Sequence, residues 1–253
     1  MGYAASGRTK TSCIDGTWTV NPDSMTCELT AILIVKDYGY AEIIGNGVNI
    51  ELPRASSDDP SVDFDRYALG LVYADSKVIM CGGGSNPNTQ RTCLELTSFE
   101  DNKWAAHSNM TTDREGHGLT SLLSTLVALG GDYEKTMEFG DPRGTDWVLN
   151  EEPLPENFEN GCALKISPEE LIYTGGLNNY VYNIAVRFNL ISNSFISLPD
   201  MIYERVFHSC ALVHSNNSTG VLVAGGMLGP YSDDESLSST EFFDFETNEW
   251  IEV

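Results

Sequence analysis

Short, largely apolar runs along this chain end repeatedly in a pair of glycines. The runs are Val78–Cys81, Leu126–Leu129, Leu171–Thr174 and Val221–Ala224. The second glycine of each pair lies at position 83, 131, 176 or 226, with spacings of 48, 45 and 50 residues. A period near ~50 residues, with units that read as short strands and contain no amphipathic helix, is typical of β-propeller blades. The pattern therefore predicts an all-β propeller.

Each blade of a propeller is a four-stranded antiparallel meander, with strands a to d running from the axis outward. Runs of β-type residues divide the chain into blades at approximately 31–66, 67–118, 119–161, 162–207 and 208–253. The first blade contains only three such runs, Ala31–Val35, Tyr40–Ile44 and Val48–Leu52. We therefore expect its innermost strand to be missing.

Aromatic and arginine residues recur at matching places in these repeats. The aromatic residues of strand d are Trp104, Trp147, Phe195 and Trp250, and the arginines that precede the next strand a are Arg66, Arg114 and Arg205. Together with the glycine pairs, this order resembles kelch repeats and covers residues ~31–253. The resemblance implies that the aromatics fill the wedges between blades, and that the glycines lie where a Cβ would collide with its neighbours.

The end of the chain differs from a complete kelch ring. Kelch propellers commonly close with a C-terminal strand that completes the first blade and removes its exposed edge. This chain stops in the last strand of blade 5, Trp250–Val253. We therefore expect a fragment of a parent propeller with six or more blades, and a five-bladed ring is the alternative.

The first 28 residues carry a different spacing. Gly2-Tyr3, Gly7, Cys13, Gly16, Trp18, Pro22 and Cys27 follow one another in an order that resembles the C-terminal half of a sushi (complement control) module. The resemblance implies that the family partners of Cys13 and Cys27 are absent. Half of a small disulfide-dependent module cannot supply a core, so we expect residues 1–28 to be poorly ordered alone. The alternative is a Cys13–Cys27 hairpin in an ordinary N-terminal extension.

Composition narrows the function classes. A hydrophobic content of 41% with 10% aromatics excludes a disordered chain, and the longest apolar run, Ala31–Val35, is too short to span a bilayer. There are 14 basic and 37 acidic residues, which give a net charge of −23. This charge repels nucleic acid and anionic membrane surfaces. It either keeps a large surface soluble or favours a cationic partner or Ca²⁺.

Two pairs of the six cysteines fall inside the predicted blades. Cys81 and Cys93 flank one hairpin on strands b and c, where opposed Cβ atoms suit a disulfide. Cys162 and Cys210 open strand a of adjacent blades. Equivalent positions in neighbouring blades usually lie beyond the ~7 Å limit between Cα atoms, so these two are expected to be buried thiols.

The cysteines and the potential glycosylation sites bear on whether the protein is extracellular. Sequons begin at Asn109, Asn216 and Asn217. An even number of cysteines together with these sequons points outside the cell. Met1 is not followed by the apolar region of a signal peptide, so either the protein is cytosolic or its true N-terminus is missing.

Loop positions predict an acidic face. The b-to-c and d-to-a connections of every blade emerge on the same side, because strand direction alternates. The residues proposed for a binding face there are Asp58, Asp59, Asp113, Asp233, Asp234 and Glu235, with Arg66, Arg114 and Arg205 beside them. This face would contact a basic protein segment, or would bind Ca²⁺ through the loop from Asp58 to Asp65. The alternatives are solvated loop acids without a ligand, and arginines that pair within their own blade.

Catalytic chemistry has little support in the sequence. Galactose oxidase carries a copper site on a kelch propeller, so the fold alone does not exclude an enzyme. The histidines, His107, His117, His208 and His214, show no metal-ligand spacing, and no hydrolase, nucleotide-binding or zinc-protease motif occurs. The sequence therefore predicts a non-catalytic extracellular protein-binding module without a cofactor. An intracellular kelch substrate adaptor is the alternative.

Overall fold

The computed structural model describes residues 51–253, apart from 60–61, 86–87, 100, 132–133, 215–217 and 230–234. Of residues 1–50, the backbone of seven strands is described. These strands are β1 (Tyr3–Ser6), β2 (Thr9–Ile14), β3 (Trp18–Asn21), β4 (Ser24–Cys27), β5 (Ala31–Val35), β6 (Ala41–Gly45) and β7 (Val48–Glu51).

The first blade contains an innermost strand that the sequence did not predict. Strand β2 pairs with β5 in an antiparallel register that sets Thr11 opposite Ile34, and β5, β6 and β7 follow in order. The expectation of a missing strand a is therefore wrong, because residues from the N-terminal segment occupy that position. The division of the chain at residue 28 and the sushi module both stay predictions.

The remaining blades follow the predicted order. Blade 2 contains β8 (Gly70–Ala74), β9 (Lys77–Cys81), the short β10 (Gly84–Ser85) and β11 (Asn88–Thr89), β12 (Cys93–Ser98) and β13 (Lys103–Ala106). Blade 3 contains β14 (Gly118–Leu122), β15 (Thr125–Leu129), β16 (Met137–Gly140) and β17 (Val148–Leu149). Blade 4 contains β18 (Cys162–Lys165), β19 (Glu170–Thr174), the short β20 (Leu177–Asn178) and β21 (Tyr180–Val181), β22 (Ala185–Asn189) and β23 (Ser194–Ser197). Blade 5 contains β24 (Ser209–His214), β25 (Thr219–Ala224), β26 (Thr240–Asp244) and β27 (Glu249–Glu252).

Blades 2, 3 and 4 are separate four-stranded antiparallel sheets, whereas β1 pairs with both β24 and β2 and so joins blades 5 and 1 in one larger sheet. Each meander runs a-b-c-d in the order of the sheet. The innermost strands of successive blades, β2, β8, β14, β18 and β24, contact one another in sequence. The predicted fold class, an all-β propeller, is confirmed.

The core is divided into wedges between blades. Trp147 of blade 3 packs with Val72 and Cys93 of blade 2, and Trp250 of blade 5 packs with Ile172 of blade 4. Trp104 lies in the cluster on the blade 1 side of blade 2, and Phe195 packs at the edge of the wedge between blades 3 and 4. The strand d aromatics therefore fill the wedges, as predicted.

The glycine pairs connect each blade to the next. The second glycine has a left-handed φ of 96° at Gly83, and its N–H donates to the C=O of Arg114 at 2.8 Å. The same bond joins Gly131 to Phe158 at 2.7 Å and Gly176 to Arg205 at 2.8 Å. Glycine is required because a side chain would be strained at this φ, and because a Cβ at Gly83 would lie 2.8 Å from the C=O oxygen of Tyr67, in the connection that leads into the same blade.

Two disulfides are present among the described residues. Cys81 and Cys93 are directly opposed on β9 and β12 and are bridged, as predicted. Cys162 and Cys210 are also bridged, with 6.0 Å between their Cα atoms. The prediction of two buried thiols is therefore wrong. Strands β18 and β24 are the innermost strands of their blades, and neighbouring blades approach each other most closely at the axis.

Within the described residues, no helix is long and apolar enough to cross a membrane.

Candidate functional site: the loop face

The b-to-c and d-to-a connections meet on one side of the propeller, here named the loop face. Backbone bridges join the two kinds of connection within a blade: Tyr67 with Gly84, Glu159 with Leu177, and Val206 with Met227. These bridges fix the connections of blades 2, 4 and 5, so that side chains beyond them are presented to solvent from a rigid base.

Carboxylates dominate the exposed side chains of the loop face. The exposed acids in its described connections are Asp58, Asp59, Asp65, Asp113, Glu151, Glu152, Asp200, Glu204 and Glu235. The exposed bases in the same connections are Arg54, Arg91 and Lys135. Two of these bases are engaged, Arg54 with Asp65 and Lys135 with Glu156. The loop face therefore carries a negative excess, and Asp233 and Asp234 lie outside the described residues.

The three arginines of the sequence pattern do not reach the surface. Arg66, Arg114 and Arg205 are 3%, 0% and 0% exposed. Arg66 donates to the C=O groups of Gly82 and Thr92, whereas Arg114 and Arg205 also pair with glutamates. Each guanidinium ties the connection that precedes a blade to strands b and c of that blade, so the role is structural, whereas the sequence alternative was pairing within one blade.

Glu138 and Glu241, which the sequence analysis missed, complete these buried clusters. The Glu138 carboxylate accepts from Arg114 Nε at 2.9 Å and from the N–H groups of Thr111 at 2.6 Å and Thr112 at 3.1 Å. Glu241 does the same with Arg205 Nε at 3.0 Å and with the N–H groups of the residues at 202 and 203. A sequence signal for these glutamates exists, because Glu138 and Glu241 each lie two residues after a hydroxyl residue, Thr136 or Ser239.

The junction between blades 3 and 4 has an apolar version of this cluster. Phe158 takes the place of the arginine, because it accepts the glycine-pair hydrogen bond there, and its ring stacks on Tyr173 with 4.4 Å between centroids. Val186 takes the place of the glutamate. It lies two residues after Ile184, whose C=O accepts from the first glycine of the pair, just as Glu138 lies two residues after Thr136. The fold therefore accommodates both an ion pair and an apolar contact at this position.

Exposed apolar side chains interrupt the acidic loop face. Tyr180, at the tip of the β20–β21 hairpin, is 79% exposed. Ile202 and Leu228, in the connections into and within blade 5, are 48% and 39% exposed. None of the three is among the binding-face residues predicted from the sequence. An apolar centre within a polar rim is the usual composition of a protein-binding surface.

Asn109 is the one predicted sugar acceptor within the described residues. It is exposed in the connection from blade 2 to blade 3, and its Oδ1 accepts from Cys93 N–H at 3.4 Å. Asn216 and Asn217 lie outside the described residues. The use of all three sequons stays a prediction.

The histidines and acids do not assemble into a metal centre in the described part of the chain. No group of three or more His, Cys, Asp or Glu side chains there is placed to hold a metal ion. His117 and His208 are buried at the start of strand a, while His107 contacts the C=O of Pro142. In the predicted Ca²⁺ loop, Asp58 is paired with Lys103 and Asp65 with Arg54.

Burial of His208 makes the stability of the protein depend on pH. Desolvation, aided by the nearby charge of Arg205, lowers the pKa of His208 to about 3. Below the unfolded pKa of about 6.5, the unfolded chain therefore takes up a proton that the folded protein excludes. We expect this residue to remove about 1.5 kcal/mol of unfolding free energy between pH 6.5 and 5. Urea titrations at both pH values measure it.

The test removes the imidazole of His208, and the control removes the exposed imidazole of His214. His208→Gln should flatten this part of the pH dependence, whereas His214→Gln, at an exposed position, should leave it unchanged. An unchanged pH dependence in His208→Gln would show that the imidazole is not held neutral.

A comparison with known proteins supports the architecture. An alignment of 91 positions, which covers 34% of this chain, is 31% identical to Kelch-like protein 40 of Homo sapiens. The fold is that of a kelch-type β-propeller. The match spans 14% of the length of that protein. No family model matches the chain.

Proposed function

We propose that this kelch-type propeller is a non-catalytic module that binds a protein partner through its loop face. The observation that carries the proposal is the exposure of Tyr180, Ile202 and Leu228 among carboxylates, while the repeated arginines are buried. The similarity to a kelch-like protein supports a protein-binding role. The partner is a protein segment that carries Lys or Arg.

Different side chains of the loop face would supply the affinity and the selectivity of binding. An exposed Tyr provides a large apolar area at low entropic cost, so Tyr180 would supply much of the binding energy. The surrounding carboxylates would raise the association rate of a basic partner and discriminate against acidic ones. Salt should therefore weaken binding mainly through the association rate.

The loop-face proposal is tested with an immobilised lysine- and arginine-rich peptide that contains one leucine. We expect Tyr180→Ser to weaken binding about tenfold, as is typical when an interface anchor is lost. Asp113→Asn combined with Glu235→Gln should slow association, and adding Asp233→Asn and Asp234→Asn should slow it further. Interferometry at two salt concentrations measures both rates.

A matched control uses the opposite side of the propeller. Glu169 and Glu246 are exposed in an a-to-b and a c-to-d turn, so Glu169→Gln with Glu246→Gln removes the same charge as the Asp113/Glu235 pair. This double variant should bind like the parent protein. If it slows association as much as the loop-face variant does, the proposal is wrong and only net charge matters.

We further propose that the protein acts outside the cell. Two disulfides and the exposed Asn109 sequon support this location. The alternative, an intracellular adaptor, requires the cysteines to be reduced. Free thiols at all four positions in protein purified from cells without reductant would contradict the extracellular location.

A further inference from the structure

The segment between blades 1 and 2 begins an additional strand on the outer edge of blade 2. Ser56 forms a parallel bridge with Lys103 of β13. The Ser56 N–H donates to the C=O of Asn102 at 3.1 Å, and the Trp104 N–H donates to the C=O of Ser56 at 2.8 Å. This is one rung of a parallel ladder. The ladder ends there because the chain turns at Ser57, whose Oγ accepts from the Asp59 N–H.

Beyond that rung, none of the described residues pairs with the outer edge of β13. Ala105 is opposite Glu95 of β12, and the His107 N–H donates to the C=O of Cys93 at 2.9 Å. Since successive residues of a strand direct their backbone groups to opposite sides, Trp104 and Ala106 point away from β12. Among the residues that the structure describes, the C=O of Trp104 and the N–H of Ala106 have no hydrogen-bond partner. An unpaired edge of this kind is a template for another strand.

A groove lies along this open edge. It has a volume of about 460 Å³, and its lining includes Ser57, Asp58, Thr97, Ala105 and Ala106. The side chains of Ala105 and Ala106 are exposed, and because strand side chains stand above and below the sheet, they leave the backbone edge itself accessible.

The wall of the groove is acidic. Asp58 has a side chain that is 88% exposed, and Asp59 is beside it. The cation of the lining, Lys103, is already paired with Asp58 at 2.8 Å. The charge of Lys103 is therefore balanced by Asp58, and the lining keeps a net negative charge that attracts an approaching Lys or Arg.

We propose that the outer edge of blade 2 is a second docking surface, which takes an extended protein segment carrying Lys or Arg. The segment adds a strand to β13, and the Ala106 N–H donates to its backbone in either strand direction. In the parallel direction, the C=O of Trp104 accepts as well. Main-chain pairing supplies the affinity, and the excess of carboxylates in the lining, Asp58 and Asp59 against Lys103, selects a basic side chain. This surface is separate from the loop face.

A substitution that removes one backbone donor tests this proposal. Ala106→Pro deletes the outward N–H, and because that N–H makes no bond within the blade, an edge strand tolerates the change. The control, Ala106→Thr, keeps the donor. The probe is a fluorescent peptide of four Lys-Thr repeats, with binding to the full chain measured by anisotropy. We expect Ala106→Pro to weaken binding at this edge about tenfold, the value of one hydrogen bond at the upper end of its range, and Ala106→Thr to change it little.

A measurement on the unaltered protein keeps the test independent of folding in the variants. Saturating peptide should slow hydrogen exchange of the Ala106 amide at least tenfold, and a Glu-Thr repeat peptide should not. Unchanged exchange at Ala106 with bound Lys-Thr peptide would overturn the proposal, as would equal binding by the Pro and Thr variants. Protection of Ala106 that persists in the loop-face variant Asp113→Asn/Glu235→Gln distinguishes this surface from the loop face.

Discussion

Replacing Glu138 with leucine is expected to lower the free energy of unfolding by about 3–5 kcal/mol, because it leaves the guanidinium of Arg114 buried without its counter-charge. Both side chains are 0% exposed, and the pair is 2.9 Å apart. The same substitution also removes the acceptor for the N–H groups of Thr111 and Thr112. Replacing Arg114 with methionine should be similarly costly, since the Glu138 carboxylate would then remain buried and unpaired.

The double variant Arg114→Met/Glu138→Leu should cost less than the sum of the two single substitutions. Apolar side chains can occupy these positions, since the junction between blades 3 and 4 holds Phe158 and Val186 where the other junction holds Arg114 and Glu138. That junction also has Pro155 where the arginine junction has Thr111, so one of the N–H groups that needs an acceptor is absent there. We therefore expect apolar packing to replace the ion pair itself but not the acceptor of the Thr111 N–H, so the double variant should remain less stable than the parent protein.

Urea denaturation of the parent, the two single variants and the double variant measures the coupling directly. The matched exposed pair is Lys135–Glu156, at 3.5 Å and about half exposed on both sides. Glu156→Gln should cost little, because exposed ion pairs contribute about 0–1 kcal/mol. Single-variant losses at Glu138 that are as small as this control would contradict the assignment of a buried interblade clamp.

Sequence reasoning was most successful where a backbone requirement dictates the residue type. A second glycine with left-handed φ must contact the next blade, so Gly83, Gly131 and Gly176 recur at a fixed place and reveal the blades. The wedge aromatics follow from the same repeat. The prediction failed for β2, because the run Thr9–Ile14 is mostly polar and lacks the apolar signature of an innermost strand.

The exposure or burial of individual side chains could not be predicted from the spacing of residues in the sequence, because it depends on loop geometry and on the packing of blades. Exposure of Tyr180 arises because the chain forms the β20–β21 hairpin, with Asn179 at a φ of 61°, before strand c begins at Ala185. The apolar sequence from Tyr180 onward gave no sign of that interruption. Likewise, the carboxylates of Glu138 and Glu241 occupy strand positions that would ordinarily face solvent in a two-sided sheet. Only the packing of one blade on the next buries them.

The Cys162–Cys210 bridge should stabilise the protein more than the Cys81–Cys93 bridge does. The two cysteines are 48 residues apart, whereas Cys81 and Cys93 are separated by 12. In the chain-entropy description, closing these loops restricts the unfolded chain by about 4 and about 3 kcal/mol, respectively. The longer bridge also joins the innermost strands of blades 4 and 5, so its loss should loosen the junction that Arg205 and Glu241 clamp.

Thermal and urea unfolding of Cys162→Ala/Cys210→Ala and Cys81→Ala/Cys93→Ala, each with the other bridge intact, measures this order. Alanine in both places avoids a buried unpaired hydroxyl, so the comparison reports the cross-link itself. The interblade variant should also show faster amide exchange in β18 and β24, because the covalent tie between the two strands is gone. Equal losses in the two variants, or exchange unchanged at this junction, would mean that the wedge formed by Trp250 and its neighbours already fixes the blades, and that the bridge adds no constraint of its own.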